Sequence, residues 1–224
     1  LLEENQQFIP GPAGPLDARV GTLLAPNQTP RAIAIIFHPH PLFQGSLDNK
    51  VVFTLTRAAG SFGAYTIRFN FRGVGQSAGQ YGEGVGELED ARSVIGWARA
   101  SWGKDLELWL LGFSFGAGIA IRAARPAGAR TLISVAPPVE HLMLTTDEAP
   151  TCPWLVIQGA RDEVVSPQLV ENWCVSLEQP PELLLWPDVT HFFHGHLTLL
   201  RQAVIDFLSA HLLKSASAPP GTVL

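Results

Sequence analysis

Gly112-Phe113-Ser114-Phe115-Gly116 stands directly after the apolar run Leu106, Leu108, Trp109, Leu110, Leu111 and directly before the small-residue run Ala117-Gly118-Ile119-Ala120. A buried strand that passes at once into a helix needs a sharp backbone corner, and a serine at that corner has its hydroxyl lifted clear of the sheet edge. Glycine two residues to either side removes the Cβ atoms that would collide where strand and helix cross. This short stretch therefore asks for a strand, a tight turn and a helix in that order.

A serine hydroxyl is a poor nucleophile at neutral pH, so the corner demands an acid and then a histidine further along the chain. Trp154-Leu155-Val156-Ile157 reads as a buried strand and ends in Gln158-Gly159-Ala160-Arg161-Asp162-Glu163, which puts Asp162 in a post-strand loop. Leu183-Leu184-Leu185-Trp186 runs into Pro187-Asp188-Val189-Thr190-His191-Phe192-Phe193-His194-Gly195, which does the same for His191. Loops that leave the same edge of a parallel sheet converge where ligands bind in open α/β sheets. Ser114 is thus the candidate nucleophile, His191 the base and then acid, and Asp162 the carboxylate that orients His191. Glu163 and Asp188 are rivals for the acid. His194 and His196 are rivals for the base. The histidines have no Cys or third spaced carboxylate to complete a zinc set, so no metal and no cofactor are expected.

Strands are expected at 17–24, 32–37, 64–71, 130–136 and in the runs above, with helices at 48–59, 85–102, 167–178 and 196–213. The alternation implies a mostly parallel central sheet with helices on both faces. With 224 residues and 46 % hydrophobic content, one core is the default, so residues 15–213 are expected to form a single domain, with 1–14 an N-terminal extension and 214–224 a disordered tail. A net charge of −5 gives no reason to expect nucleic acid or an anionic membrane surface. No apolar run approaches the length of a membrane span, and two cysteines outside any C-x-x-C pattern suit a reducing compartment, so a cytoplasmic protein is expected. The loop Arg72-Gly73-Val74-Gly75 to Gly79 lacks a P-loop lysine and reads as a tight structural turn.

With these parts in order, residues 15 to 212 resemble an α/β-hydrolase. More narrowly, His38-Pro39-His40-Pro41-Leu42-Phe43-Gln44-Gly45, Asp48-Asn49-Lys50-Val51-Val52, Arg68-Phe69-Asn70-Phe71-Arg72-Gly73-Val74-Gly75-Gln76-Ser77-Ala78-Gly79 and His191-Phe192-Phe193-His194-Gly195 resemble a compact bacterial subfamily of serine hydrolases, similar in size to dienelactone hydrolases and small esterases. The chain departs from that pattern with Gln44-Gly45 where Gly-Gly is common. The resemblance implies a serine hydrolase and fixes the mechanism far better than the substrate; a small-molecule ester or thioester is expected from the apolar side chains placed to line the site. A peptidase or lactonase with the same three residues, or a non-catalytic binding protein on the same fold, are the alternatives.

An oxyanion formed at Ser114 needs two backbone N–H donors, one from Phe115 and one from the loop after Phe37. Pro39 and Pro41 have none, which leaves His40, Leu42 or Phe43. Leu42 is favoured, with His40 second, and His38 and His40 are otherwise given a structural part. Only about 17 residues link the strand ending at Ala136 to the next, too few for a large cap domain. Phe43, Phe113, Met143 and Phe192 are the expected substrate-binding side chains, with Phe115, Leu142 and Phe193 as further apolar candidates.

Overall fold

The computed structural model describes residues 3–24 and 28–216. Among these, eight strands form one sheet: β1 (Glu3–Gly11), β2 (Gly14–Thr22), β3 (Ala32–Phe37), β4 (Ala64–Phe69), β5 (Glu107–Phe113), β6 (Thr131–Val135), β7 (Trp154–Gly159) and β8 (Glu182–Trp186). Their order is β1-β2-β4-β3-β5-β6-β7-β8, with β2 antiparallel to both its neighbours and every pairing from β4 to β8 parallel. The helices are α1 (Lys50–Gly60), α2 (Val85–Trp102), α3 (Phe115–Ala127), α4 (Pro167–Ser176) and α5 (Leu197–Ala216).

The central strands are apolar throughout because both their faces are covered. In β3, Ile33, Ile35 and Phe37 point into a core shared with α2, α3 and α4, while Ala32, Ala34 and Ile36 point into a second core shared with α1 and α5. Alternation with a period of two sorts one strand's side chains between two cores. Strand β3 lies between β4 and β5, so the chain leaves it in one direction to β4 and later returns on its other side as β5. That reversal of strand order opens a crevice at the C-terminal ends of β3 and β5.

The first residues differ from expectation. Rather than an extension outside the domain, residues 3–11 are the edge strand β1, joined to β2 by a two-residue turn at Pro12-Ala13. Ile9 pairs with Leu16 in register, and both are fully buried. Glu4 takes a bidentate pair from Arg68 of β4, Nε to Oε1 at 2.8 Å and Nη2 to Oε2 at 2.7 Å. At the other end, α5 continues to Ala216, so the segment expected to be a tail begins helical; residues 217–224 lie outside the described residues.

Between β6 and β7 the chain makes turns and one 3₁₀ turn at Thr146–Glu148, with no cap domain over the sheet edge. Among the described residues no helix is long and apolar enough to cross a membrane.

The corner after β5 is crowded from both sides. A Cβ on Gly112 would lie within 3.0 Å of the Gly116 carbonyl and the Ala117 Cα, and one on Gly116 would lie within 3.0 Å of the Phe37 and His38 carbonyls. All these obstacles are backbone, which has no rotamer to yield. Gly116→Ala is therefore expected to destabilise the protein by on the order of 3 kcal/mol, read as a lowered urea midpoint. An unchanged midpoint would mean that the helix does not press on the β3 exit.

Candidate active site

Ser114 occupies the corner with φ 53° and ψ −122°, a region that costs a non-glycine residue of order 1–3 kcal/mol and persists because its surroundings fix it. Its N–H donates to the Val135 carbonyl of β6 at 2.8 Å, and α3 begins at the next residue. The hydroxyl caps no backbone N–H of that helix. It stands 3.0 Å from Nε2 of His191 instead.

His191 and Asp162 meet because the loops after β7 and β8 are laced together. Ala160 N–H donates to the Trp186 carbonyl at 2.8 Å and Arg161 N–H to the Val189 carbonyl at 3.0 Å. Gly159 makes the approach possible, since a Cβ there would run into the Val189 carbonyl. Asp162 Oδ2 lies 2.8 Å from His191 Nδ1 and also accepts the Gln158 amide at 3.0 Å, while Oδ1 accepts the N–H groups of Val164 at 2.9 Å and Val165 at 2.7 Å. Burial pushes the Asp162 carboxyl up, but the hydrogen bonds from His191 and from the Val165 and Val164 amides outweigh it and hold the group below the usual carboxylate value. An ionised Asp162 only accepts, so Nδ1 carries the proton and the Nε2 lone pair faces the Ser114 hydroxyl.

The rivals fall elsewhere. Glu163 supports the histidine through its backbone, its Oε2 accepting the His191 N–H at 3.3 Å. Asp188 forms a surface ion pair with Arg161 at 2.8 Å. His194 is exposed and His196 half-buried, with His196 Nδ1 2.9 Å from the His194 carbonyl. Burial pushes the Cys152 thiol up to about 11 and the Cys174 thiol up to about 12, so neither is a thiolate at neutral pH.

The loop after β3 abuts the start of α3, but not through the residue favoured for the oxyanion. Leu42 N–H is spent on Nδ1 of His40 at 3.2 Å, and Phe43 N–H on the His40 carbonyl at 3.1 Å. The His40 N–H, flanked by two prolines, has no partner among the described residues. Of the glycine loop, Gly73, Val74 and Ser77 turn their N–H groups onto Ala78, Phe71 and Val74 carbonyls, leaving them no role with a phosphate.

Ser114 lies in the wall of a cleft of ≈ 230 Å³. Of the four expected substrate-binding side chains Phe43 lines it, and so do Phe115 and Leu142 among the further apolar candidates, whereas Phe193 is fully buried in the second core. Phe113 belongs to the second core, fully buried, with its ring 5.2 Å from the His191 ring; as the last residue of β5 it shares the face of Trp109 and Leu111. Met143 is 79 % exposed and outside the cleft. Phe192 sets its ring edge-on to His191 at 5.2 Å, half exposed and also outside the cleft. The sequence reading missed His40, Tyr81 and His141 as lining side chains. Tyr81 follows the glycine loop at the C-terminal end of β4, and that position was the signal available for it.

His38 is locked behind this wall. Phe71 N–H donates to its Nε2 at 3.0 Å, so Nδ1 carries the proton and donates to the Pro39 carbonyl at 2.6 Å. Burial lowers its pKa to about 4, against the bond to Pro39 and with a small push from His40. The unfolded chain binds this proton near pH 6.5 and the folded chain does not. Stability is therefore full above about pH 6.5 and falls as pH drops toward 4, by about 3 kcal/mol over that window from this group. Urea midpoints measured from pH 7 to 4 check the slope, and a flat profile would mean that His38 is not sealed in.

Residues 20–147 match the family model described as X-Pro dipeptidyl-peptidase (S15 family). The crystal structure of XC6422 from Xanthomonas campestris, described as an α/β serine hydrolase without lid, is 42 % identical, covers 97 % of each chain and superposes with a TM-score of 0.85. An uncharacterized protein of Rickettsia prowazekii (strain Madrid E), RP471, is 31 % identical over 212 residues, 91 % of this chain and 88 % of that one. The Pyrococcus furiosus esterase Pf2001 is 18 % identical, over 93 % of each chain, with a TM-score of 0.77, a likeness of fold.

Proposed function

This chain belongs to the α/β serine hydrolases, within the family whose model is described as X-Pro dipeptidyl-peptidase (S15), and we propose that it hydrolyses small to medium carboxylic esters or thioesters through an acyl-enzyme on Ser114. The observation that carries this reading is the unbroken line from Asp162 through His191 to the Ser114 hydroxyl, at 2.8 and 3.0 Å.

Ser114 Oγ attacks the carbonyl carbon as His191 Nε2 takes its proton, and Asp162 stabilises the imidazolium that forms. The carbonyl electrons move onto oxygen, which receives the N–H of Phe115 at the start of α3 and that of His40 in place of Leu42. Collapse of this adduct expels the alcohol or thiol, which leaves with the proton from Nε2. Water then attacks the acyl-enzyme, His191 takes its proton, and Ser114 departs with that proton as the carboxylic acid is released.

The cleft favours ester over peptide chemistry. No Asp, Glu, Lys or Arg lines it among the described residues, so it offers no carboxylate to the ammonium of a short peptide's N-terminus and no cation to a carboxylate. Its rings and aliphatic side chains suit an apolar body of modest size. The test is a panel of 4-nitrophenyl esters, thioesters and Xaa-Pro anilides of matched size. Turnover of the esters or thioesters with little on the anilides is expected; a preference for Xaa-Pro anilides would replace this reading with a peptidase.

A further inference from the structure

Tyr81 shares the cleft wall with Ser114, and its hydroxyl is 3.2 Å from Nε2 of His40. Which group donates is decided on the opposite side of the imidazole. The Leu42 amide can only donate, and it points at His40 Nδ1 at 3.2 Å, so Nδ1 holds a lone pair. Burial lowers the His40 pKa, with His141 adding to the effect against the pull of Glu87, so the ring is neutral. Its one proton is then on Nε2 and is donated to the Tyr81 oxygen.

That assignment leaves the phenol's own proton without an acceptor among the described residues. Burial and the carboxylates of Glu87 and Glu83 raise the Tyr81 pKa, so the proton stays on at neutral pH and above. The ring is held in place from three directions. It lies 5.0 Å from the His40 ring and 6.0 Å from the Phe115 ring, and the chain just beyond it is pinned by Glu87, which accepts the N–H groups of Gly82 and Gly84 at 2.8 Å each. The hydroxyl is thus a fixed donor in a wall shared with Phe43, Phe115, Leu142, Val164 and Val165, open to an acceptor that a ligand brings.

We infer that Tyr81 is a specificity residue whose hydroxyl donates to a neutral oxygen on the acyl group of the substrate, so that acids bearing an ether, keto or hydroxyl oxygen on an apolar frame are preferred over plain hydrocarbon acids. The acyl group is meant because it stays on Ser114 through the intermediate, and this cleft has Ser114 in its wall. The acceptor is neutral because no Lys or Arg lines the cleft and the nearby acidic side chains repel an anion. This rests on Ser114 being the nucleophile.

The test uses 4-nitrophenyl alkylphosphonates that modify an activated serine: one with an all-carbon arm, and a series with an ether oxygen replacing each methylene in turn. Rates of Ser114 modification are measured for the native protein and for Tyr81→Phe, which keeps the ring. The ratio of ether arm to carbon arm cancels much of the difference in general reactivity. It is expected to fall by about three- to tenfold in Tyr81→Phe at the oxygen position that matches the hydroxyl. An equal ratio at every position, with Ser114 still labelled, overturns the role of Tyr81 alone. Failure of every arm to label Ser114 overturns the nucleophile reading and this inference together. The ¹⁵N shifts of His40 give an independent check: a protonated Nε2 is expected, and a protonated Nδ1 contradicts the inference.

Discussion

Ser114→Ala is expected to lower kcat on a turned-over ester by on the order of 10⁶-fold, with melting temperature and circular dichroism close to those of the native protein. The separation of these effects follows from the corner's geometry. The hydroxyl caps no helix N–H, so deleting it removes no bond that holds α3, and alanine inherits the same backbone strain. What disappears is the atom 3.0 Å from His191 Nε2. Turnover within tenfold of native would mean that another group performs the attack.

Asp162→Asn is the second large effect, expected at about 10⁴-fold in kcat with the fold retained. The carboxylate accepts from four donors: Val164 and Val165 N–H at one oxygen, Gln158 and His191 at the other. An asparagine must turn its NH₂ toward one of these pairs. The two backbone N–H groups cannot rotate away, so the amide oxygen stays with them and the NH₂ faces His191. His191 then accepts at Nδ1, moves its proton to Nε2 and points that proton at Ser114, where a lone pair is required. The Gln158 amide nitrogen loses this acceptor but keeps the Gly159 and Val165 carbonyls at 3.3 and 3.4 Å. Steady-state kinetics beside a thermal melt read the result, and a loss under tenfold would show that Asp162 does not set the tautomer.

The corner after β5 and the loops bearing Asp162 and His191 were legible because each depends on chain order and on apolar runs that only a strand buried on both faces explains. The geometry adds what spacing cannot: Glu163 braces the His191 backbone, while Asp188 faces solvent with Arg161. Strand β1 was hidden because an edge strand has one free side. Glu3 to Gln7 are polar and mostly exposed, and only Ile9 signals a core. Phe113 was misplaced when β5 was read as ending at Leu111; extended by two residues, the strand's own alternation sends it into the core beside Trp109. Leu42 was misplaced for a reason outside any periodicity, since its N–H is captured by the side chain of His40 two residues earlier.

An activated nucleophile at Ser114 is tested most directly by intact mass after incubation with a fluorophosphonate, comparing the native chain with Ser114→Ala. A single adduct on the native chain, absent from the variant, is the predicted result. A folded native chain that takes no adduct, or a Ser114→Ala variant that takes the same one, would contradict it.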